Sequence, residues 1–367
     1  ADGVEHVDVS GAPEAESQEV KASDDMRQDY GGSERSGYDW RRPHMGITTA
    51  ITTVTTAPKN VHWRAIGLFV AVAMGVAFAL DAVCAATGGL GTPQGKLILV
   101  TRMFSPALAS WVVCRFVTGA SWLRAVGLRR GSPRSGNRRR ILTSALIGIL
   151  VVMAVTAAYL ALAITVGWFH PDWAMTEQME KLAALGSSKP LPPAHIFFIL
   201  TVVQCLVAGC TINAIVALGE ETGWRGWLLS ALSPLGTTRA VVFTGAVWGL
   251  WHAPLIAMGY EYEHQIPAAL GIVLFTMFCM AFGTLLAWLR ARSGSIWPAA
   301  ITHGTLNAFA TLPPILVAPE DSWDLVTSSI AGVPAVLMIM AIAAVLLSRQ
   351  RIELTSGTRP EALDNMT

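Results

Sequence analysis

Eight apolar stretches, each long enough to cross a bilayer as a helix, constrain this chain more than any other feature of its sequence. They lie near residues 65–86, 97–116, 141–166, 196–218 with a continuation, 238–258, 267–289, 295–312 and 332–348. A helix needs about 20 mainly apolar residues to span the hydrocarbon core. Composition agrees, because 53% of the 367 residues are hydrophobic and only 14% are charged. We therefore predict an all-α fold: a polytopic membrane helix bundle of about eight transmembrane helices.

The arginines predict how this bundle is oriented. Short cytoplasmic loops are enriched in Lys and Arg, and the segment 115–140 is the richest in arginine: Arg115, Arg124, Arg129, Arg130, Arg134, Arg138, Arg139 and Arg140. Alternation of the spans then places both termini in the cytoplasm and the acidic loops 261–264 and 313–331 outside. The predicted localisation is the inner (plasma) membrane of a bacterial cell, as a multi-pass protein.

The distribution of charge predicts four segments. Residues 1–60 are expected to be an acidic, disordered N-terminal extension, because low hydrophobicity with high charge opposes folding. Residues 61–190 would hold the first transmembrane helices and the arginine-rich loop, 191–348 the functional core, and 349–367 a cytoplasmic tail. The sequence has no basic stripe interleaved with aromatic residues, so no nucleic-acid partner is predicted.

Several common kinds of site are missing from the sequence. The five cysteines form no CxxC pair, and neither a P-loop nor a GxSxG nor an HExxH motif occurs. This excludes the commonest ATPases, serine hydrolases and zinc peptidases of the HExxH type. The candidates that remain are ionisable residues within the spans, where such residues are rare and usually functional.

Few ionisable residues lie inside the predicted spans. Asp81 and Arg102 are close to span ends, and the sequence favours hydrated or snorkelling side chains there. His252 and His303 are the only two histidines within spans, and the acidic pair Glu220-Glu221 follows a long apolar run. We expect Glu220, His252 and His303 to meet in a cavity that opens toward the cytoplasm.

Helical spacing separates the roles of the two glutamates. Successive helical side chains point about 100° apart, whereas residues four apart share a face. Glu221 is thus placed to pair with Arg225, while Glu220 has Trp224 one turn later and no cation within reach on its own helix. A carboxylate without a cation in an apolar wall suits a general base. The alternative reading is a packing network without chemistry.

The same one-turn spacing recurs in two other spans. WGLWH places Trp248 one turn before His252, and HGTLN places Asn307 one turn after His303. Together with GEETGWR, these motifs resemble the EExxxR, FxxxH and Hxxx(N/D) motifs of the CAAX prenyl endopeptidase and bacteriocin-processing (CPBP, or Abi) family of intramembrane proteases. Trp248 stands where the family pattern has Phe. The resemblance covers roughly residues 195–312.

This resemblance implies hydrolysis of a peptide bond within the membrane. Glu220 would activate the attacking water with help from His252. His303 and Asn307 would stabilise the developing oxyanion. The supporting residues would be Glu221, Arg225 and Trp248, of which the first two hold the helix in place.

Metal dependence stays open at this point. Members of the family have been read both as metalloproteases and as metal-free glutamate proteases. Glu220, His252 and His303 could bind zinc with a water as fourth ligand. We favour no cofactor, because an Asn beside the second histidine suits oxyanion donation better than metal ligation.

Two other classes of function compete with proteolysis. Buried Glu and His residues also serve proton-coupled transporters, although no inverted repeat is evident. A bacteriocin-immunity or scaffold protein could keep the fold without the reaction. The partners implied by the resemblance are the lipid bilayer and a membrane-associated protein or peptide substrate, whose identity the sequence does not specify.

Overall fold

The structure is a computed structural model that describes residues 61–128, 135–184, 192–318, 323–349 and 352. All of these belong to one compact unit, residues 54–367. The predicted disordered extension, residues 1–60, and nearly all of the predicted tail lie outside the described residues.

The predicted all-α class is confirmed, because the described ranges contain helices and a single isolated β-bridge but no strand. The helices are α1 (Trp63–Ala86), α2 (Pro93–Arg102), α3 (Ser105–Val113), α4 (Trp122–Ala125), α5 (Ser135–Val166), α6 (Thr176–Ala184), α7 (Ala194–Cys210), α8 (Ile212–Glu221), α9 (Leu229–Ala231), α10 (Thr237–Trp251), α11 (Ala253–Ala257), α12 (Ala268–Ser293), α13 (Trp297–Phe309), α14 (Leu325–Ser328) and α15 (Val333–Ser348). π-helical turns follow α3 and α8, at Cys114–Thr118 and Thr222–Leu228.

The number of spans is lower than eight by length and composition. Five helical segments of the described chain are long and apolar enough to cross a membrane, or six if the bent pair 194–210 and 212–231 is one span. The two predicted spans that fall short contain α10 and α13, of 15 and 13 residues. These are the spans that carry His252 and His303. Several long apolar helices nevertheless fit a multi-pass membrane protein.

One end of the bundle is built from loops that bind one another. The Asp172 amide donates to the Leu316 carbonyl at 2.7 Å, and the Gln265 side-chain amide donates to the Trp323 carbonyl at 2.8 Å. We call this the acidic-loop end, defined by residues 258–267 and 311–332. These loops precede α12 and α15 in the chain, and the second of them contacts the segment that follows α5.

The opposite end holds the other termini of the same helices. Gly127, which follows α4, packs against the guanidinium of Arg290 near the end of α12. We call this the arginine end, defined by residues 119–128 and 290–297. Which end faces the cytoplasm stays a prediction from the positive-inside rule.

Close packing around the π-helical turn that follows α8 positions the polar side chains of the core. All seven residues of Thr222–Leu228 are buried, and Phe69 of α1 stacks on Trp227 with ring centres 5.0 Å apart. Glycine permits the nearest helix contact: a side-chain carbon on Gly304 would lie 2.5 Å from the Ala214 amide nitrogen. Helices α8 and α13 therefore approach closely enough for their polar side chains to meet. π-turns within helices often mark functional sites.

Candidate active site

A cavity of about 220 Å³ contains the four residues predicted to be catalytic. Glu220 at the end of α8, His252 after α10, and His303 and Asn307 on α13 all line it, as does Trp248. Three separate helical segments thus bring the predicted residues together. Their assignment to a reaction is a proposal.

Two indole groups hold the Glu220 carboxylate. The N–H of Trp248 donates to Oε2 at 2.6 Å, and the N–H of Trp224, one helical turn away, donates to the same oxygen at 3.4 Å. Oε1 forms no hydrogen bond with any residue that the structure describes. Glu220 is only 2% exposed, so one oxygen of a buried carboxylate is left for a molecule in the cavity.

Trp248 therefore does more than preserve the aromatic character of the family position. A phenylalanine there would leave Glu220 without its shorter hydrogen bond, because a phenyl ring has no N–H group. The tryptophan keeps an aromatic ring at this position. The structure shows that it also supplies a hydrogen-bond donor to the carboxylate.

The predicted pair between Glu221 and Arg225 is present. Nη1 of Arg225 lies 2.9 Å from Oε1 of Glu221, and both side chains are almost fully buried. Nδ1 of His303 lies 2.9 Å from the same Oε1. Since an ionised carboxylate only accepts, Nδ1 carries the proton in that contact and Nε2 of His303 is left without one when the ring is neutral. Glu221 thus orients a residue of the cavity rather than lining it.

Arg225 links this ion pair to the second motif. Its guanidinium carbon lies 4.1 Å from the centre of the Trp248 ring, a distance at which a cation is attracted to the face of an indole. Trp248 in turn donates to Glu220. The pair therefore supports the indole that holds the cavity-lining carboxylate.

His252 sits where α10 ends. Its Nδ1 lies 3.0 Å from the Trp248 carbonyl oxygen, and a carbonyl can only accept, so Nδ1 donates and the lone pair of a neutral ring is on Nε2. Aromatic rings surround the imidazole: the centres of Trp251 and Phe275 each lie 4.7 Å away. This leaves His252 with a fixed orientation in an apolar wall of the cavity.

The residues considered as metal ligands do not form a metal-binding group. Among the described residues, no three His, Cys, Asp or Glu side chains are arranged to hold a metal ion. One oxygen of Glu220 is already bound by two indoles. We therefore derive no step through a metal, and metal independence stays a prediction.

The interpretation of Asp81 and Arg102 as hydrated or snorkelling side chains is wrong. Both are buried, at 2% and 1% exposure, and Nε of Arg102 lies 2.8 Å from Oδ1 of Asp81. Arg102 lines the same cavity as Glu220. Sequence position near a span end suggested contact with water, but the short helices α2 and α3 fold this end of the span into the protein.

A second, larger cavity of about 840 Å³ adjoins the first at the acidic-loop end. Tyr260, Glu261, Asn307, Ala310 and Ile330 line both cavities and form the neck between them. Leu90, Gly259 and Trp323, all in loops, also line the larger cavity. The predicted opening of the site toward the cytoplasm stays a prediction. The loop could not be placed from sequence, since its approach to the site depends on the break in the chain after α10.

Glu261 is an acidic residue of this neck that sequence reasoning assigned only to an outer loop. Its backbone has φ of 68°, in the left-handed region that is uncommon for non-glycine residues. Burial raises the pKa of Glu261 to about 7, against the opposing effect of a hydrogen bond with Tyr260. EYEH contains two glutamates, and nothing in the sequence distinguishes Glu261 as the one that lines a cavity.

The part of the chain that forms this site is similar to known sequences. Residues 193–309 match the model of the family described as Type II CAAX prenyl endopeptidase Rce1-like. This segment is therefore similar to the Rce1-like family. A protein named CAAX prenyl protease 2 from Methanococcus maripaludis is 31% identical over 98 residues, which is 25% of this chain and 36% of that protein. The match thus spans little more than a third of the length of this relative.

The Rce1-like segment contains all three motifs and every predicted site residue. The recognition made from GEETGWR, WGLWH and HGTLN is confirmed. The family description indicates a CAAX prenyl endopeptidase-like protease activity. Helices α1 and α2, with Asp81 and Arg102, lie outside the matched segment, although Arg102 lines the cavity that the Rce1-like segment forms.

Proposed function

We propose that this protein is an intramembrane endopeptidase in which Glu220 activates the water that attacks a peptide bond. One observation carries the proposal: Oε2 of the buried Glu220 is fixed by two indole N–H groups while Oε1 is left for a molecule in the cavity. A general base must lie within hydrogen-bond reach of the proton that it removes. A water bound to Oε1 meets that condition in a cavity lined by both histidines.

Asn307 and His303 suit stabilisation of the negative charge that develops on the substrate carbonyl oxygen. As the water oxygen bonds to the carbonyl carbon, its proton passes to Glu220 and negative charge develops on the carbonyl oxygen. Donors aimed at such an oxyanion are a large part of catalysis. The amide of Asn307 is available for this role, because it forms no hydrogen bond within the described residues and lines the cavity. His303 supplies a second donor from Nε2 when its ring is protonated.

His252 completes the cycle in this proposal. Its Nε2 is free of the backbone contact that holds Nδ1, so it can assist in moving the proton from the water to the leaving nitrogen. The carbon–nitrogen bond then breaks, the amine leaves with the proton that Glu220 received, and the carboxylate is restored. Glu221 and Arg225 act on this chemistry by holding His303 and Trp248.

The substrate that we infer is a membrane-associated protein or peptide. The site lies among helices whose outer faces expose many large apolar side chains, and the neck leads from it to a larger cavity at the acidic-loop end. We place the protein in the inner membrane of a bacterial cell, in contact with lipid and without a nucleic-acid partner.

The proposal is tested with purified protein in detergent and a fluorogenic library of membrane-partitioning peptides. Wild type should cleave, whereas Glu220→Gln and His252→Ala should lose at least about a hundredfold in kcat. Glu180→Gln and His195→Ala are the matched controls, because both residues are exposed and neither lines the cavity. These controls should keep the rate of wild type.

A zinc chelator separates the two chemical types of protease. Wild-type cleavage that persists with chelator supports a glutamate-activated water. Loss of cleavage with chelator and its recovery with added zinc would make Glu220, His252 and His303 metal ligands and overturn the metal-free mechanism. Cleavage by both active-site variants at the wild-type rate would refute the assignment of this cavity.

A further inference from the structure

The break in the chain at His252 leaves helix α10 with carbonyl groups that need partners. The last four carbonyls of any helix lack donors from within it. Pro254 cannot prolong the helix, because it has no N–H group. The Trp248 carbonyl contacts Nδ1 of His252 at 3.0 Å, and the Gly249 carbonyl accepts the His252 amide at 3.0 Å. The carbonyl immediately before His252, that of Trp251, has a different partner.

That partner is Arg102, from a helix far away in the sequence. Nη2 of Arg102 donates to the Trp251 carbonyl oxygen at 2.8 Å. The guanidinium carbon also lies 3.7 Å from the centre of the Trp251 ring. Arg102 therefore binds both the backbone and the side chain of the residue that precedes His252. The Trp251 ring in turn touches the His252 imidazole edge-on.

Asp81 from α1 supplies the counter-charge. It meets Arg102 through two contacts, Nε to Oδ1 at 2.8 Å and Nη2 to Oδ2 at 3.0 Å. The hydrogen bond at Nη2 and the close ion contact at Nε together restrict the orientation of the guanidinium group. The orientation of Arg102 at the Trp251 carbonyl is thus determined from the first helix of the bundle.

The energetics of such a pair point to a role beyond stability. Removing two charges from water is costly, and replacing a buried ion pair with apolar residues of similar volume is often neutral or stabilising. Asp81 and Arg102 are both almost fully buried, and Arg102 lines the cavity with Glu220 and His252. A pair with little net benefit to folding is here bonded to the peptide that carries a cavity histidine.

We propose that Arg102 is a positioning residue of the active site: it holds the Trp251–His252 peptide and so sets the place of the His252 imidazole, with Asp81 keeping its guanidinium in plane. The inference rests on the proposed function of His252. It extends the site to α1 and α2, outside the segment that matches the family.

Four variants test this role against a merely structural one. Arg102→Gln leaves Asp81 buried and unpaired, so its loss of activity could reflect misfolding. The double variant Asp81→Leu with Arg102→Met removes both charges with residues of similar size and should fold as well as wild type. Arg102→Lys keeps a cation that can still donate to the Trp251 carbonyl. Arg239→Met, an exposed arginine on the same helix as Trp251, is the matched control.

The expected result is a selective loss in kcat. The double variant should unfold at the wild-type temperature, yet its kcat should fall by about a hundredfold with KM little changed, because small displacements of a reacting group have effects of that size. Arg102→Lys should recover part of the loss, and Arg239→Met should behave as wild type. Wild-type kcat in the folded double variant would overturn the proposal.

A second readout does not depend on cleavage. Diethylpyrocarbonate modifies accessible imidazole nitrogens, and mass spectrometry gives its rate at each histidine. The double variant should change the rate at His252 and leave the rate at His303 as in wild type, since Glu221 holds the latter. Unchanged rates at both residues would refute the positioning role. A change at His252 in a protein whose wild type cleaves nothing would support positioning while contradicting the proposed protease function.

Discussion

The indole N–H of Trp248 lies 2.6 Å from Oε2 of Glu220. This contact joins the second motif of the sequence to the first and occupies one carboxylate oxygen. It also explains how a buried acid without a cation partner on its own helix can be held in one orientation. Substitutions of Trp248 and of Glu220 test the contact from each of its two partners.

Trp248→Phe should lower kcat by about tenfold while keeping the fold. The phenyl ring preserves the face that Arg225 contacts, but the hydrogen bond to Glu220 is lost, and bonds to charged groups contribute about 1.5–3 kcal/mol. Steady-state cleavage of a library peptide measures the change. Trp173→Phe is the control, because Trp173 is exposed on a loop. Equal rates for wild type and Trp248→Phe would show that the indole donor is dispensable.

The two adjacent glutamates should separate activity from stability. Glu221→Gln breaks a buried contact with both Arg225 and His303, and removing one partner of a buried pair costs about 3–5 kcal/mol. Its unfolding temperature in detergent should therefore fall well below that of Glu220→Gln, which should stay near wild type. Loss of cleavage in Glu221→Gln together with full activity in Glu220→Gln would reverse the two assignments.

Glu261 should make substrate binding depend on pH near neutrality. Its pKa is raised to about 7 by burial, so the side chain is neutral below that pH and becomes anionic above it. For peptides with a basic residue, KM should fall as the pH rises from 6 to 8, whereas for acidic peptides it should rise. KM measured at several pH values should lose this dependence in Glu261→Gln. The exposed Glu263 of the same loop provides the control variant Glu263→Gln, which should retain it.

The acidic-loop end should be reachable from outside the cell. If the positive-inside rule holds for the arginine end, a cysteine at Glu263 will react with a membrane-impermeant maleimide added to intact cells. A cysteine at Arg124 should react only after lysis. Four of the five native cysteines are buried and Cys210 is exposed, so wild type sets the background. Labelling of the Arg124 cysteine alone in intact cells would invert the predicted topology.

The closeness of α8 and α13 should depend on Gly304. Gly304→Ala would place a methyl group 2.5 Å from the Ala214 amide nitrogen, so α13 must move and carry the neighbouring His303 with it. We expect kcat to fall by at least about tenfold. Gly75→Ala on α1 is the control, because no atom lies within 4 Å of the added carbon. An active Gly304→Ala protein would show that the site tolerates a wider helix spacing.

Residues close in sequence explain much of what could be predicted. Runs of apolar residues predict transmembrane helices because the bilayer requires internal hydrogen bonding of the backbone. The i,i+4 spacing of Glu221 and Arg225 predicts their ion pair because a helix repeats every 3.6 residues, and that pair is present. The motifs also identified the family, since their order and spacing can be read directly from the chain.

Contacts between distant segments were decided only by the tertiary structure. Residue types and spacing were enough to predict an all-α, apolar chain with Glu220, His252, His303 and Asn307 as its candidate residues. It could not determine that Arg102 bonds the Trp251 carbonyl, since 149 residues separate them. Nor could it show that the cavity faces the acidic-loop end. Local spacing specifies which side chains share a helix face, but the direction in which a cavity opens depends on where helices break and how they pack.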